Sequence, residues 1–334
     1  MRALRKTAAA PGLDFAALAP PVAAPGEVLV AVEAAGICGT DLHIADWTAG
    51  YESMTAAMPV TIGHEFAGAI AALGDGVSGW TLGQRVTVRP STVCGACPAC
   101  RGGDPDGCSQ RRGIGIGRDG AFASQVRVPS LNCVALPAGL DAELAAMAEP
   151  LSVSLHAAEL PGIRPGERVL VLGPGPIGLG IAFFASLAGA AVTLAGVKDA
   201  PRLDLARALG GIATVDLAEG SLGEESFDVV IEAAGVAAAV TEGMARLRRG
   251  GRFVVAGIHA RPAPIDLTRL VRLEQTLFGA YRAPIADWPR VLSLLSRHAE
   301  TARKMITHRL PLDRALEGFD LLRARQGCKV ILRP

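Results

Sequence analysis

The stretch Arg168-Val-Leu-Val-Leu172-Gly173-Pro174-Gly175-Pro176-Ile177-Gly178 decides the fold. Residues of strand character run into a G-x-G-x-x-G turn, and the apolar sequence beyond Gly178 reads as a helix. In that setting the glycines allow a tight turn, and backbone amides at the helix N-terminus can hold a pyrophosphate. A merely tight strand-to-helix connection is the plainer alternative. Further short apolar runs follow at 191–194, 227–231, 252–256 and 276–280, separated by helical stretches such as 202–209. This alternation is the signature of an α/β protein with a doubly wound parallel sheet.

The uncharged run 169–197 is long enough to suggest a membrane span. However, Gly173-Pro174-Gly175-Pro176 breaks it near its start and Gly189-Ala190-Ala191 punctuates it again, so it reads as buried strand, helix and strand. An acidic residue at the end of the second strand would bind the ribose hydroxyls of a dinucleotide; here the sequence is Ala195-Gly196-Val197-Lys198-Asp199. With Gly196 at that position no carboxylate repels a 2′-phosphate, and Lys198 and Arg202 stand nearby to attract one. In the alternative, Asp199 reaches the ribose and both cations are solvated. The cofactor is therefore NADP or NAD, and the residues incline towards NADP.

Upstream, Val28, Val30 and Val32 alternate with other residues and a further short strand ends at Val88, so the first part reads as strands joined by turns. Between 89 and 112 the composition turns to Cys, Gly, Pro and Arg, which marks a lobe that needs its own staple. Cys94, Cys97, Cys100 and Cys108 supply it: four thiolates this close can wrap one tetrahedral Zn²⁺, and a closed Cys₄ shell is structural. An iron–sulfur cluster would require a shorter last spacing, and disulfides suit an oxidising compartment.

The start of the chain carries no apolar core of signal-peptide length, so we expect an unexported, cytoplasmic protein whose seven cysteines are thiols or ligands. A net charge of +1 shows no electrostatic footprint for nucleic acid or an anionic membrane. Across 37–68 lie Cys38, His64 and Glu65, three zinc-ligand types from two separate turns, with Gly39 and Gly63 beside them. Taken alone, a distant Cys and His are more often core residues than ligands.

Together these features resemble the zinc-dependent medium-chain dehydrogenases. Cys38-Gly39-Thr40-Asp41-Leu42-His43, Gly63-His64-Glu65, the four-Cys lobe, Glu149-Pro150-Leu151 and the glycine fingerprint occur in that family's order. Gly113-Ile-Gly-Ile-Gly117 and Ile306-Thr-His308-Arg309 look like its L-threonine 3-dehydrogenase branch, whereas Glu149-Pro-Leu-Ser-Val-Ser-Leu-His156 looks more like sorbitol and butanediol dehydrogenases.

The resemblance implies a GroES-like, mostly β catalytic domain (1–150, with the zinc lobe at about 89–112), an inserted Rossmann domain (151–284) and a return to the first domain (285–334). It implies a catalytic zinc at Cys38, His64 and Glu65, with Glu149 a ligand or one water away, and one carboxylate leaving as substrate enters. Thr40 and His43 would relay the proton. Pro176, Ile177, Gly257 and Ile258 would join Gly173, Gly175, Gly178, Gly196, Lys198 and Arg202 around the cofactor. The expected reaction is oxidation of a small polar secondary alcohol, polyol-like or diol-like, to a ketone by a homodimer or homotetramer; L-threonine is the alternative substrate. A zinc-stabilised, dinucleotide-sensing binding protein is the rival from another class, and a zinc-free reductase is disfavoured by the intact cysteine set.

Overall fold

The computed structural model describes residues 1–334. The glycine fingerprint sits where its sequence context requires, at the centre of a six-stranded parallel sheet. The strand order is Ile212–Asp216, Ala191–Gly196, Arg168–Leu172, Phe227–Glu232, Leu247–Val255, Thr276–Gly279. Val169, Leu170 and Val171 are fully buried because helices cover both faces of the sheet, which is why its strands read as unbroken apolar runs. The strand Ile212–Asp216 has mixed polarity and no clean alternation, and it escaped the sequence reading.

The uncharged run resolves into the strand Arg168–Leu172, the helix Pro176–Leu187 and the strand Ala191–Gly196. No helix is long and apolar enough to cross a membrane.

Of the other strands, Asp14–Ala17, Arg2–Lys6 and Val60–Thr61 form a small separate sheet, and seven build a second large one, mostly antiparallel. Its path runs Cys133–Ala135, Arg85–Val88, Glu65–Leu73, Glu27–Gly36, Lys329–Arg333, Ile306–Pro311, and Gln125–Pro129 also pairs with Glu27–Gly36. The C-terminal strands thus return to the sheet built by the N-terminal ones. Lys329–Arg333 lies against Glu27–Gly36, with Ile331 opposite Gly36, and Gly36 in turn faces Glu65 on the far strand. One central glycine therefore separates two strands drawn from opposite ends of the chain.

The helix Ala148–Glu159 begins before the expected division at 150 and runs through it, packing against the helices Pro176–Leu187 and Asp287–Arg297. Residues from both sheets share one hydrophobic core around this helix, while a second core fills the N-terminal sheet. The cysteine lobe projects from that sheet and is closed at its base by the short pair Ser91–Thr92 and Arg112–Gly113.

Candidate active site

Cys38 caps the helix Gly39–Asp46. Its backbone is extended, its Sγ accepts from the Thr40 amide at 3.4 Å, and Asp41 Oδ2 accepts from the Cys38 amide at 2.9 Å. This reciprocal pairing is a capping box with a thiol in place of the usual hydroxyl. It fixes the direction of the sulfur.

The other Asp41 oxygen, Oδ1, faces His64 Nδ1 at 3.5 Å, and neither atom has another hydrogen-bond partner. With Nδ1–H turned to a carboxylate, Nε2 is the ring nitrogen left to bind a cation, an orientation common among metal-binding histidines. Asp41 therefore aligns both Cys38 and His64, a role the sequence reading did not give it. Its position three residues after the cap is the signal that could have found it.

Cys38, His64 and Glu65 bring one donor atom each within 4.8 Å of one another. Burial and the nearby Glu65 push the Cys38 thiol up. Burial alone would lower the His64 pKa, but Asp41 and Cys38 carry it well above its usual value. Glu65 is fully buried and answered by Lys329, whose Nζ lies 2.6 Å from Oε2 and 2.8 Å from Oε1 and also donates to Ile37 O at 3.2 Å. The pair can meet only because Gly36 lies between them: a Cβ there would stand 2.3 Å from Glu65 Oε2 and 3.3 Å from Lys329 Cδ.

Glu149 is outside this tight trio. Burial of its carboxyl raises it to about 7, His64 opposing and Glu65 adding to the shift. It lines a small cleft of mixed character with Arg89, Arg111, Ser152, Arg282 and Trp288. Burial raises the Tyr51 phenol pKa, and the Thr40 side chain nearby opposes the shift. His43 is exposed, stacks on Tyr51 at 6.2 Å between ring centroids, and shares a hydrogen bond through Nδ1 with the Thr48 hydroxyl at 3.2 Å. Tyr51 thus lies beside His43 and near Thr40. Met54 and Phe122 are core residues.

In the lobe, the four sulfurs also gather within 4.8 Å of one another, and Cys94 and Cys108 Sγ stand 3.7 Å apart. A tetrahedron with metal–sulfur bonds of about 2.3 Å has edges of about 3.8 Å, so the spacing suits zinc. Backbone amides of Cys100 and Ser109 lower the Cys97 thiol to about 6, ready to bind as thiolate, whereas burial and the neighbouring thiols raise Cys100 to about 12. Cys133 and Cys328 stand apart, each pushed to about 12 by burial. Both clusters fit a zinc ion, the outer as a closed all-sulfur shell and the inner as a mixed S, N and O set.

The glycine turn opens a cavity of about 620 Å³ lined by Gly173, Gly175, Gly196, Asp199 and Arg202. Gly173 has φ 108°, and a Cβ on Gly178 would meet Gly173 O at 1.8 Å, so both are demanded by the turn itself. Gly175 faces open space, leaving its backbone free to approach a ligand. Arg202 grips Asp199 through two hydrogen bonds, one of them Nε to Oδ1 at 2.8 Å. Asp199 is thus occupied by its neighbour, and Lys198, Pro176, Ile177, Gly178, Gly257 and Ile258 are not part of the cavity wall. Gly257 instead packs on the loop after Glu232, where a Cβ would lie 2.4 Å from Gly235 N.

Residues 24–138 match the model for the alcohol dehydrogenase GroES-like domain, and residues 176–297 match that for the zinc-binding dehydrogenase. A sorbitol dehydrogenase of Halalkalibacterium halodurans is 35% identical over 100% of this chain and 99% of its own. The chain belongs to the zinc-dependent medium-chain dehydrogenases. An L-threonine 3-dehydrogenase of Saccharopolyspora erythraea is 36% identical, with 99% of this chain and 98% of its own covered. Among solved structures, a zinc-binding dehydrogenase from Sinorhizobium meliloti 1021 bound to NADP superposes with a TM-score of 0.89 at 33% identity, covering 100% of this chain and 99% of the other. This medium-chain dehydrogenase therefore pairs a GroES-like domain with a Rossmann-like parallel sheet, and it is a zinc-dependent alcohol dehydrogenase working with NADP or NAD.

Proposed function

We propose that this dehydrogenase oxidises a small polar secondary alcohol, a polyol or diol, to the ketone. The observation that carries this reading is the convergence of Cys38, His64 and Glu65 close to Glu149. In the small cleft that Glu149 lines, Arg89 and Arg282 offer donors to hydroxyls, and Ile285 with Trp288 supplies a short apolar wall.

Zinc at the inner cluster supplies the Lewis acidity that lowers the alcohol pKa, and the nicotinamide accepts the hydride. Cys38 and His64 would hold the cation, and Asp41 keeps them aligned. Glu65 and Glu149 are its acidic neighbours. Three anions on one dication would be more than its charge balances, and Glu65, already paired with Lys329, is the carboxylate that could stand off the ion. The Thr40 hydroxyl would accept the alcohol proton while passing its own on by way of the cofactor ribose, and exposed His43 would release a proton to water.

A second substrate class, a β-hydroxy amino acid such as L-threonine, is supported by the similarity to L-threonine 3-dehydrogenases and by the guanidinium groups of Arg89 and Arg282, which would answer a carboxylate. We also propose a cytoplasmic homodimer or homotetramer. All seven cysteines are unpaired, and the sheet-edge strand Thr276–Gly279 leaves Leu277 and nearby Tyr281 exposed, a face a second copy would cover.

Initial rates with sorbitol, 2,3-butanediol and L-threonine, each with NADP and NAD, test the proposal. Turnover of a polyol or diol that a chelator abolishes and zinc restores is expected. Turnover of L-threonine alone favours the second class, and no turnover in a chain that binds dinucleotide and a single zinc would leave the sensor reading.

A further inference from the structure

The dinucleotide cavity is walled by three guanidinium groups, and one of them has no acidic partner. Arg202 is held by Asp199 and Arg246 by Glu242, the latter at 2.8 Å, and both acids line the same cavity. The third, Arg325, is exposed and forms neither an ion pair nor a side-chain hydrogen bond. It also comes from the opposite side of the cleft. Arg325 lies in the turn between the helix Ala315–Arg323 and the strand Lys329–Arg333, which belongs to the seven-stranded sheet.

That turn closes its helix as a Schellman motif. Arg325 N donates to Leu322 O at 3.1 Å and Gln326 N to Leu321 O at 2.9 Å, with Arg325 itself left-handed at φ 56°. Glycine is the usual occupant of this position because a Cβ crowds the backbone there. An arginine contributes nothing to the turn that glycine would not, so its side chain calls for another explanation.

The charges nearby supply one. Of the two acids at the ends of the second and third strands, Asp199 is held by Arg202, and Asp216 Oδ1 accepts from the amides of Lys198 at 2.9 Å and Ala218 at 3.0 Å. Neither is free to take a ribose diol. The pyrophosphate is served by the glycine turn and the N-terminus of the helix Pro176–Leu187. The surplus cation therefore belongs to the adenosine end. Consistent with this, Cys328, three residues beyond Arg325, lies close enough to Arg202 and Asp199 to feel both charges.

We infer that Arg325 is a specificity-determining residue which, with Arg202, holds the 2′-phosphate of NADP across the cleft between the two sheets. The inference rests on the dehydrogenase reading above. A phosphomonoester suits two planar guanidinium forks, and its second charge is what the unpaired Arg325 answers. Because Arg325 belongs to the catalytic unit, it ties cofactor choice to the closeness of that unit to the Rossmann sheet.

The test is Arg325→Gly, which removes the guanidinium while giving the turn its preferred residue. The holoenzyme should keep or raise its Tm, keep its kcat at saturating NADP, and lose about tenfold or more in NADP affinity while NAD affinity changes less than about twofold. Arg325→Lys should recover part of the loss. Equal weakening of NADP and NAD would assign Arg325 to the pyrophosphate and overturn the inference, as would unchanged affinity for both or a wild-type chain that prefers NAD. Wild-type protein without turnover on any alcohol would overturn the dehydrogenase reading instead.

Discussion

Lys329 Nζ lies within 2.8 Å of both carboxylate oxygens of Glu65, and both side chains are buried. The two residues come from opposite ends of the chain and meet across Gly36. Burial would lower the Lys329 pKa, but Glu65 and Cys38 raise it above its usual value, so the ammonium stays charged. Removing one partner strands a buried charge, at a cost of about 3–5 kcal/mol. Lys329→Ala should therefore lose most of that in equilibrium denaturation, while Glu65→Gln combined with Lys329→Met should cost less than the sum of the single changes. Additive effects would mean that the two groups do not depend on each other.

The glycine turn separates fold from ligand. Gly178→Ala would drive a Cβ to 1.8 Å from Gly173 O and should lower Tm sharply, whereas Gly175→Ala projects into open space and should leave Tm nearly unchanged. Its cost should appear as cofactor affinity weakened about tenfold, because the added methyl stands where the pyrophosphate approaches. Calorimetry and cofactor titration of both variants check this, and a Gly175→Ala protein with normal affinity would contradict it.

Acid should loosen the junction that carries Glu149. Glu143, in the helix Ala142–Ala146, accepts from Arg309 Nε at 2.7 Å and Arg333 Nε at 3.0 Å, tying the approach to Glu149 to the C-terminal strands. Burial would raise its pKa, but the bonds from Arg333 and Arg309 hold it below its usual 4.5. A depressed carboxylate contributes stability that is present above its unfolded pKa and lost as pH falls through the folded value. Stability should thus decline below pH of about 4.5, and Glu143→Gln should flatten that decline while costing about 1–3 kcal/mol near neutrality. Denaturation midpoints from pH 3 to 7 for both proteins decide it.

Stripping the metals should expose the four lobe thiols and Cys38, but neither Cys133 nor Cys328. Cys94, Cys97, Cys100 and Cys108 become reactive once zinc leaves, beginning with Cys97, whose thiol is lowered to about 6 by backbone amides. Cys133 and Cys328 stay unreactive at pH 8 while the chain is folded, because burial holds both near 12. Mass mapping of alkylated cysteines before and after chelation reads this directly. Early labelling of Cys328 would show that the strand beside Lys329 opens.

Local patterns in the chain carried much of this design. The cysteine spacings, the strand-plus-glycine turn and the apolar runs each act over a few residues, so the lobe and the parallel sheet were legible, whereas the Cys38, His64 and Glu65 set followed only from the resemblance to the dehydrogenase family. What the sequence hid is made by contacts between distant segments. Lys329 as partner of Glu65, with Gly36 as the gap between them, depends on strands from both ends lying side by side, and Arg325 reaches the cofactor cavity only because the turn before the last strand lies near the ends of the parallel sheet. Only Asp41 lay within reach of local reasoning, as the third residue after a cap. Gly257 and Ile258, expected at the cofactor, lie outside the cavity wall, since the loop they occupy packs on Gly235.

The central claim, that Cys38 and His64 hold a dication turnover requires, is met most directly by counting zinc and activity in Cys38→Ser. The wild type should carry about two zinc ions per chain. The variant should fold, retain about one in the four-cysteine lobe, and lose activity by a factor of about a thousand or more. A folded variant with both metals, or one that turns over alcohol at near the wild-type rate, would contradict the account.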